Sequence, residues 1–79
     1  MAAKTIVSLK IIWIMKRYLF ELHCLTETRY HNEMFQCDAD AQIRARKILT
    51  DAKRDKVGFL ISLYGKNNSG DWKHIVSYQ

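Results

Sequence analysis

One segment of the chain has the spacing of an amphipathic helix, and segments that alternate between apolar and polar residues flank it on both sides. In residues 39–53, apolar side chains recur every three or four positions, which places them on one stripe of a helix. Asp38 and Asp40 stand at its start, where an aspartate can cap free amides and acidic charge suits the helix dipole. The stripe that should lie on a sheet comprises Ala41, Ala45, Ile48, Leu49 and Ala52.

Four segments are predicted to be strands, two before the helix and two after it. The first pair covers residues 18–26 and 30–37, and the second covers residues 57–64 and 72–78. Asparagine and glycine residues between the members of the second pair indicate a turn. The predicted fold is therefore an α+β class, ββαββ, with an antiparallel four-stranded sheet and one helix on one of its faces.

The length of the first loop predicts a strand register. A four-residue loop at residues 27–30 pairs Leu22 with Phe35. Cys24 and Cys37 then lie four residues apart along the ladder, or roughly 13 Å, which is beyond disulfide reach. Two free thiols are typical of a reducing compartment.

The second hairpin predicts an exposed surface. Phe59 and Ile61 are expected to face the helix, while pairing across the turn brings Trp72 near Tyr64 on the other side. Because one helix covers only one face of a sheet, this side needs another cover or forms an interface. The cover is either residues 5–15 or a second copy of the chain, which would make a homodimer. The patch is predicted to comprise Leu19, Leu60, Tyr64, Trp72 and Val76.

Residues 1–15 are predicted to be an apolar extension ahead of a single domain at residues 16–79. The extension contains the run TIVSLKIIWIM, which is too short to span a bilayer, since spanning takes about 20 apolar residues. Lys10 interrupts the run and no small-residue cleavage site follows, so secretion is not expected. The extension should add a strand or a short helix, or else Met15 is the natural start. The expected location is the cytoplasm of a host cell.

No arrangement of residues indicates catalysis. The sequence has no nucleophile elbow, no phosphate loop and no zinc-protease motif. His23 and His31 are predicted on opposite faces of the first hairpin, and a zinc site requires its ligands to converge. We therefore expect no enzyme, no catalytic residue, no metal and no cofactor.

The basic side of the helix is the first candidate binding site. The chain has a formal net charge of +5, and residues 44–56, with six basic and two acidic side chains, supply +4 of it. Such charge favours an acidic partner, although most charged helix faces are simply solvated. An exposed Ile43 among these charges would suit a protein interface. The candidate residues are Ile43, Arg44, Arg46, Lys47, Lys53, Arg54 and Lys56.

The turn of the second hairpin is the other candidate site. It is polar, and aromatic residues with lysines beside them flank it. Such aromatic rings can stack nucleic-acid bases, or they can form a cross-strand pair that stabilises the hairpin. The candidate residues are Tyr64, Lys66, Asn67, Asn68, Trp72 and Lys73.

The layout, size and charge of residues 16–79 resemble those of small phage-encoded inhibitors, among them anti-CRISPR proteins. The features that carry the resemblance are the two hairpins, the helix AQIRARKIL and the turn SGDWK. The resemblance implies a non-enzymatic inhibitor, encoded by a phage or mobile element, that binds a host protein or nucleoprotein complex of bacterial defence (CRISPR-Cas). The basic helix and the aromatic hairpin would make the contact. The alternative function is a small nucleic-acid-binding module.

Overall fold

The computed structural model describes residues 15–79 of the chain. The strands form one antiparallel sheet in the order β2-β1-β3-β4, and the helix packs on one of its faces. The predicted α+β class and ββαββ order are thus confirmed. The predictions for the N-terminal extension fall almost entirely on residues 1–14, outside the described residues. The elements are β1 (Lys16–Cys24), β2 (Thr28–Phe35), α1 (Asp38–Arg54), β3 (Gly58–Lys66) and β4 (Trp72–Tyr78).

The core lies between α1 and the two central strands. Phe20 pairs with Leu63 across β1 and β3, and Leu22 pairs with Ile61, so these side chains share the face that α1 covers. Small side chains on α1 allow the helix to approach the sheet closely. The predicted stripe is confirmed, with Ile48 packed at the edge of the core and four residues buried within it: Ala41, Ala45, Leu49 and Ala52.

The first hairpin is tighter than the sequence predicted. Three residues, 25–27, join β1 to β2, and the N–H of Cys24 donates to the carbonyl oxygen of Glu27 at 2.9 Å. Leu22 therefore pairs with Arg29, and the predicted partner Phe35 is wrong by six positions. An even shift leaves the same side chains on the same face, so the alternating pattern could not distinguish the two registers.

A β-bulge at the start of β3 removes Phe59 from the core. His23 pairs with Leu60 while Cys24 pairs with Gly58, so Phe59 is the extra residue in the ladder. The side chain of Phe59 is 50% exposed, and its ring lies 6.5 Å from that of His23. The prediction that Phe59 faces the helix is wrong, because a bulge interrupts strand alternation.

A second bulge, in β4, moves Val76 to the helix side. Leu63 pairs with Val76 while Tyr64 pairs with His74, which leaves Ile75 as the extra residue. Val76 and Ile75 both pack against the core. The prediction that Val76 belongs to the uncovered face is therefore wrong.

A side-chain hydrogen bond links the start of α1 to β1, and the helix does not have the predicted side-chain cap. The N-cap residue is Cys37, and no side chain makes a capping hydrogen bond. The carboxylate of Asp38 instead accepts a hydrogen bond from the hydroxyl of Tyr18 at 2.7 Å. Because Tyr18 is fully buried, this bond connects the core to the first turn of the helix, where Asp38 and Asp40 still suit the dipole.

The buried tyrosine predicts a loss of stability at alkaline pH. Burial, and then the hydrogen bond to Asp38, raise the pKa of Tyr18 well above its usual value. The folded state therefore holds this proton more tightly than the unfolded state does. Its contribution is complete below the ordinary tyrosine pKa of about 10 and is lost as the pH rises beyond it.

We expect the free energy of unfolding to fall between about pH 9 and pH 11, and to fall less in the Tyr18→Phe variant. Urea unfolding followed by circular dichroism measures both values. At neutral pH the variant should lose about 1 kcal/mol, the usual net contribution of one hydrogen bond. Tyr30→Phe, at a side chain that is 63% exposed, is the control and should keep the alkaline loss. An equal alkaline loss in Tyr18→Phe would contradict the assignment.

Candidate functional site

The predicted binding residues do not form one surface. Those of α1 lie on the helix layer, whereas Tyr64, Lys66 and Trp72 lie on the opposite side of the sheet. We call that opposite side the open face. Lys73 pairs with Gly65, and a Cβ added to Gly65 would meet Ile75 and Tyr18 on the helix side, so Lys73 belongs to that side. The open face is centred on Leu19, Glu21 and His23 of β1 and Leu60, Ser62 and Tyr64 of β3.

Most basic side chains of α1 already have a partner within the chain. Arg44 Nε lies 3.2 Å from Glu33 Oε1, and Lys47 Nζ lies 3.7 Å from Asp51 Oδ2. A hydrogen bond from His31, together with the Arg44 guanidinium, holds the pKa of Glu33 below its usual range, so this acid stays charged. Further partners are Asp51 and Asp55 for Arg54, and the Tyr78 ring, 5.0 Å away, for Arg46. Three basic side chains of the helix, Arg44, Lys47 and Arg54, are thus paired with acidic side chains, while Arg46 contacts an uncharged ring.

Ile43 is the exposed apolar residue on the outer side of α1. Its side chain is 65% exposed and stands beside the partnered Arg44 and near the partnered Lys47. Lys53 and Lys56, at the C-terminal end of the helix and just beyond it, form no ion pair with a described residue. The outer side of α1 thus combines one exposed apolar side chain with both paired and unpaired basic side chains.

Four basic side chains gather at one end of the sheet, where β1 begins and the β3–β4 turn closes. They line a cleft of about 530 Å³, together with Asn67 and Asn68 of the turn. Within residues 15–79 none of the four forms an ion pair, and the one acidic side chain of the cleft, Asp38, accepts the hydrogen bond from Tyr18. These side chains, which we call the sheet-end cations, are Lys16, Arg17, Lys66 and Lys73.

Sequence reasoning found Lys66 and Lys73 but missed Lys16 and Arg17. The missed pair lies far away in sequence and reaches the cleft because Tyr18 pairs with Gly65 in the β1–β3 ladder. The sequence signal for this pair was its position at the very start of the first strand. In an antiparallel sheet, that start lies beside the end of the partner strand. That partner strand could not be identified from alternation alone.

Asn67 organises the turn between β3 and β4. Its side-chain oxygen accepts hydrogen bonds from the backbone N–H groups of Ser69 at 3.0 Å and Asp71 at 2.9 Å. Its own N–H donates to the carbonyl oxygen of Asp71, and Gly70 takes a left-handed backbone with φ 85°. The turn therefore holds Lys66 and Trp72 opposite each other. Asn67, which the sequence suggested as a binding residue, stabilises the conformation of this turn.

Aromatic rings and polar groups share the open face. The ammonium group of Lys66 lies 5.4 Å from the centre of the Trp72 ring, and the rings of Tyr64 and His74 meet edge to face at 5.5 Å. Trp72 is 41% exposed. Further from this end, Tyr30 and Phe59 are also exposed.

A hydrogen-bonded network crosses the middle of the open face. Glu21 accepts from His23 at 2.8 Å and from the Tyr64 hydroxyl at 3.3 Å, and the hydroxyls of Ser62 and Ser77 lie 2.8 Å apart. Partial burial, and then the nearby Glu21 carboxylate, raise the pKa of Tyr64. The predicted apolar patch is thus a mixed aromatic and polar surface.

The described part of the chain offers no group of three histidine, cysteine or acidic side chains placed to hold a metal ion. Cys24 and Cys37 are free, and His23 and His31 lie on opposite faces of the sheet as predicted. Within residues 15–79, no helix has the length and apolar character needed to cross a membrane.

No protein-family model, no curated protein and no solved structure matches this chain.

Proposed function

We propose that the chain is a non-enzymatic nucleic-acid-binding module whose sheet-end cations contact the phosphate backbone. The observation that supports this proposal is the grouping of Lys16, Arg17, Lys66 and Lys73 around one cleft without an acidic partner among the described residues. Cations that no carboxylate neutralises can release the counterions of a nucleic acid, which is the main source of sequence-independent affinity. The cations of α1 are less suited to this task because most already have partners.

The salt dependence of binding tests the proposal. Lys66→Gln and Lys73→Gln should each weaken binding by a similar factor for unrelated sequences. Each should also reduce the slope of log affinity against log salt by about 0.7 to 0.9, the contribution of one phosphate contact. Fluorescence anisotropy with labelled oligonucleotides at several salt concentrations measures both quantities.

Lys53→Gln is the matched control, because it removes the same charge from the exposed end of α1 and should leave the slope unchanged. The proposal fails if the full chain binds no nucleic acid, or if Lys53→Gln reduces the slope as much as Lys66→Gln does.

The outer side of α1 favours a second candidate, which we propose as the alternative. In this function the chain is a phage or mobile-element inhibitor that docks on a protein of a bacterial defence complex such as CRISPR-Cas. Its support is Ile43, which is 65% exposed beside Arg44 and Lys47, two basic residues that are paired with acidic side chains within the chain. An apolar anchor in such surroundings is typical of a protein interface.

A pull-down from nuclease-treated host lysate separates the two candidates. For the inhibitor, a stoichiometric protein complex should survive moderate salt, disappear with Ile43→Asp and persist with Lys66→Gln. Recovery of nucleic acid alone from untreated lysate, together with loss of binding in Lys66→Gln, would reject the inhibitor and support the nucleic-acid module.

A further inference from the structure

We infer that the open face takes single-stranded nucleic acid, with bases stacked on its aromatic rings and phosphates held by Arg17 and Lys66, the two sheet-end cations on that face. This inference rests on the proposed function and specifies the form of the nucleic acid. Stacking on a protein ring requires a base whose face is free, as in a single strand, whereas the bases of a duplex cover one another.

The corner of the open face next to the turn places an aromatic ring and two cations together. Lys66 pairs with Trp72 on β4, and Arg17 lines the same cleft as Lys66, where the β1–β3 ladder ends at Tyr18 and Gly65. The Lys66 ammonium already lies over the Trp72 ring, so a base stacked on Trp72 brings its phosphate within reach of that ammonium. This arrangement of aromatic ring and cation is the one that sequence-tolerant single-strand binding uses.

A second stacking position lies one diagonal step away. Tyr64 pairs with His74, and both stand one row further along the sheet than Lys66 and Trp72. Diagonal neighbours on one face of a sheet are roughly 7–8 Å apart, which neighbouring nucleotides of an extended strand can bridge. Two successive bases can therefore contact the Trp72 ring and the Tyr64–His74 pair.

Charge on the open face favours an anionic occupant over a second copy of the chain. Arg17 and Lys66 form no ion pair within the described residues, whereas Glu21 is engaged by His23 and Tyr64. Two copies that met with the same ends of their sheets together would bring these cations towards each other. The polar network across the middle of the face also suits a wet, charged ligand better than a dry protein interface.

The test compares labelled oligothymidine with a duplex of equal length, using the full 79-residue chain. We expect the single strand to bind more tightly than the duplex. Trp72→Ala should lower the affinity for the single strand by about 5- to 100-fold, as expected when a stacking aromatic is truncated. Trp72→Phe should restore most of that loss, because it restores a ring. Ile43→Ala, on the far side of the molecule, should change nothing. Circular dichroism verifies that each variant is folded.

Each other result overturns the inference. Equal binding of duplex and single strand, unchanged by Trp72→Ala but still weakened by Lys66→Gln, rejects stacking and leaves the proposed function standing. A stable dimer in light scattering that Trp72→Ala dissociates assigns the open face to a second copy. If no nucleic acid binds at all, the inference and the proposed function fail together.

Discussion

The Phe20→Ala variant is expected to lose most of its stability and to be partly unfolded at room temperature. Phe20 is 1% exposed, and its ring packs edge to face on Phe35 at 6.1 Å and close to His31 at 5.7 Å. Truncating a buried phenylalanine to alanine costs about 3–5 kcal/mol, through lost burial and the cavity left behind. A domain of this size is stable by roughly 5 kcal/mol, so little of that stability remains.

Urea unfolding followed by circular dichroism measures this effect, and Phe59→Ala is its matched control. The chemical change is the same, but Phe59 is half exposed at the β3 bulge, and we expect a cost below about 1 kcal/mol. A similar cost at both positions would mean that Phe59 belongs to the core, as simple alternation predicts, and would contradict the bulge.

The Gly58→Ala variant is expected to lose about 1–3 kcal/mol, because an added methyl group overpacks the junction of sheet and helix. A Cβ atom at this position would lie 2.9 Å from Ala52 Cβ and 2.9 Å from Leu22 Cδ1. The methyl group of Ala52 is fixed to the helix backbone and cannot rotate away, so α1 itself would have to move.

Gly65→Ala supplies the matched control for this overpacking. Its added Cβ would also meet a neighbour at 2.9 Å, but that neighbour is Ile75 Cδ1, the free end of a flexible side chain. We expect Gly65→Ala to cost less than Gly58→Ala, by about 1 kcal/mol or more. Denaturant midpoints for the two variants measure the difference. If Gly65→Ala is the more harmful change, close helix packing at Gly58 is not what limits the site.

The helix could be predicted from sequence because several of its apolar positions recur at helical spacing. Ala41, Ala45 and Leu49 fall on one stripe and are all buried, and no shift of one or two residues preserves that pattern. Strand alternation carries less information, since any even shift reproduces it. That is why the strands and their succession along the chain were predicted, while the predicted partner of Leu22 was wrong.

The candidate sites could be predicted only where their residues are close together in the sequence. The turn lysines and Trp72 were found together because they share one hairpin. The contribution of Lys16 to the cleft, and the ion pair of Arg44 with Glu33, depend on strand pairing and on how α1 lies on the sheet. Composition also suggested a strongly basic helix, whereas the structure pairs three of its basic side chains, Arg44, Lys47 and Arg54, with acidic ones.

The extra residue in β4 also determines which kinds of sequence change this fold can accept. Trp72 and His74 lie on one side of the sheet and Val76 and Tyr78 on the other, although all four have even numbers. The extra residue shifts the alternation of side chains between the two faces. Losing or gaining one residue between His74 and Val76 would therefore move the side chains of one half of β4 to the opposite face. We therefore expect this fold to accept substitutions on the open face but not insertions or deletions within β4.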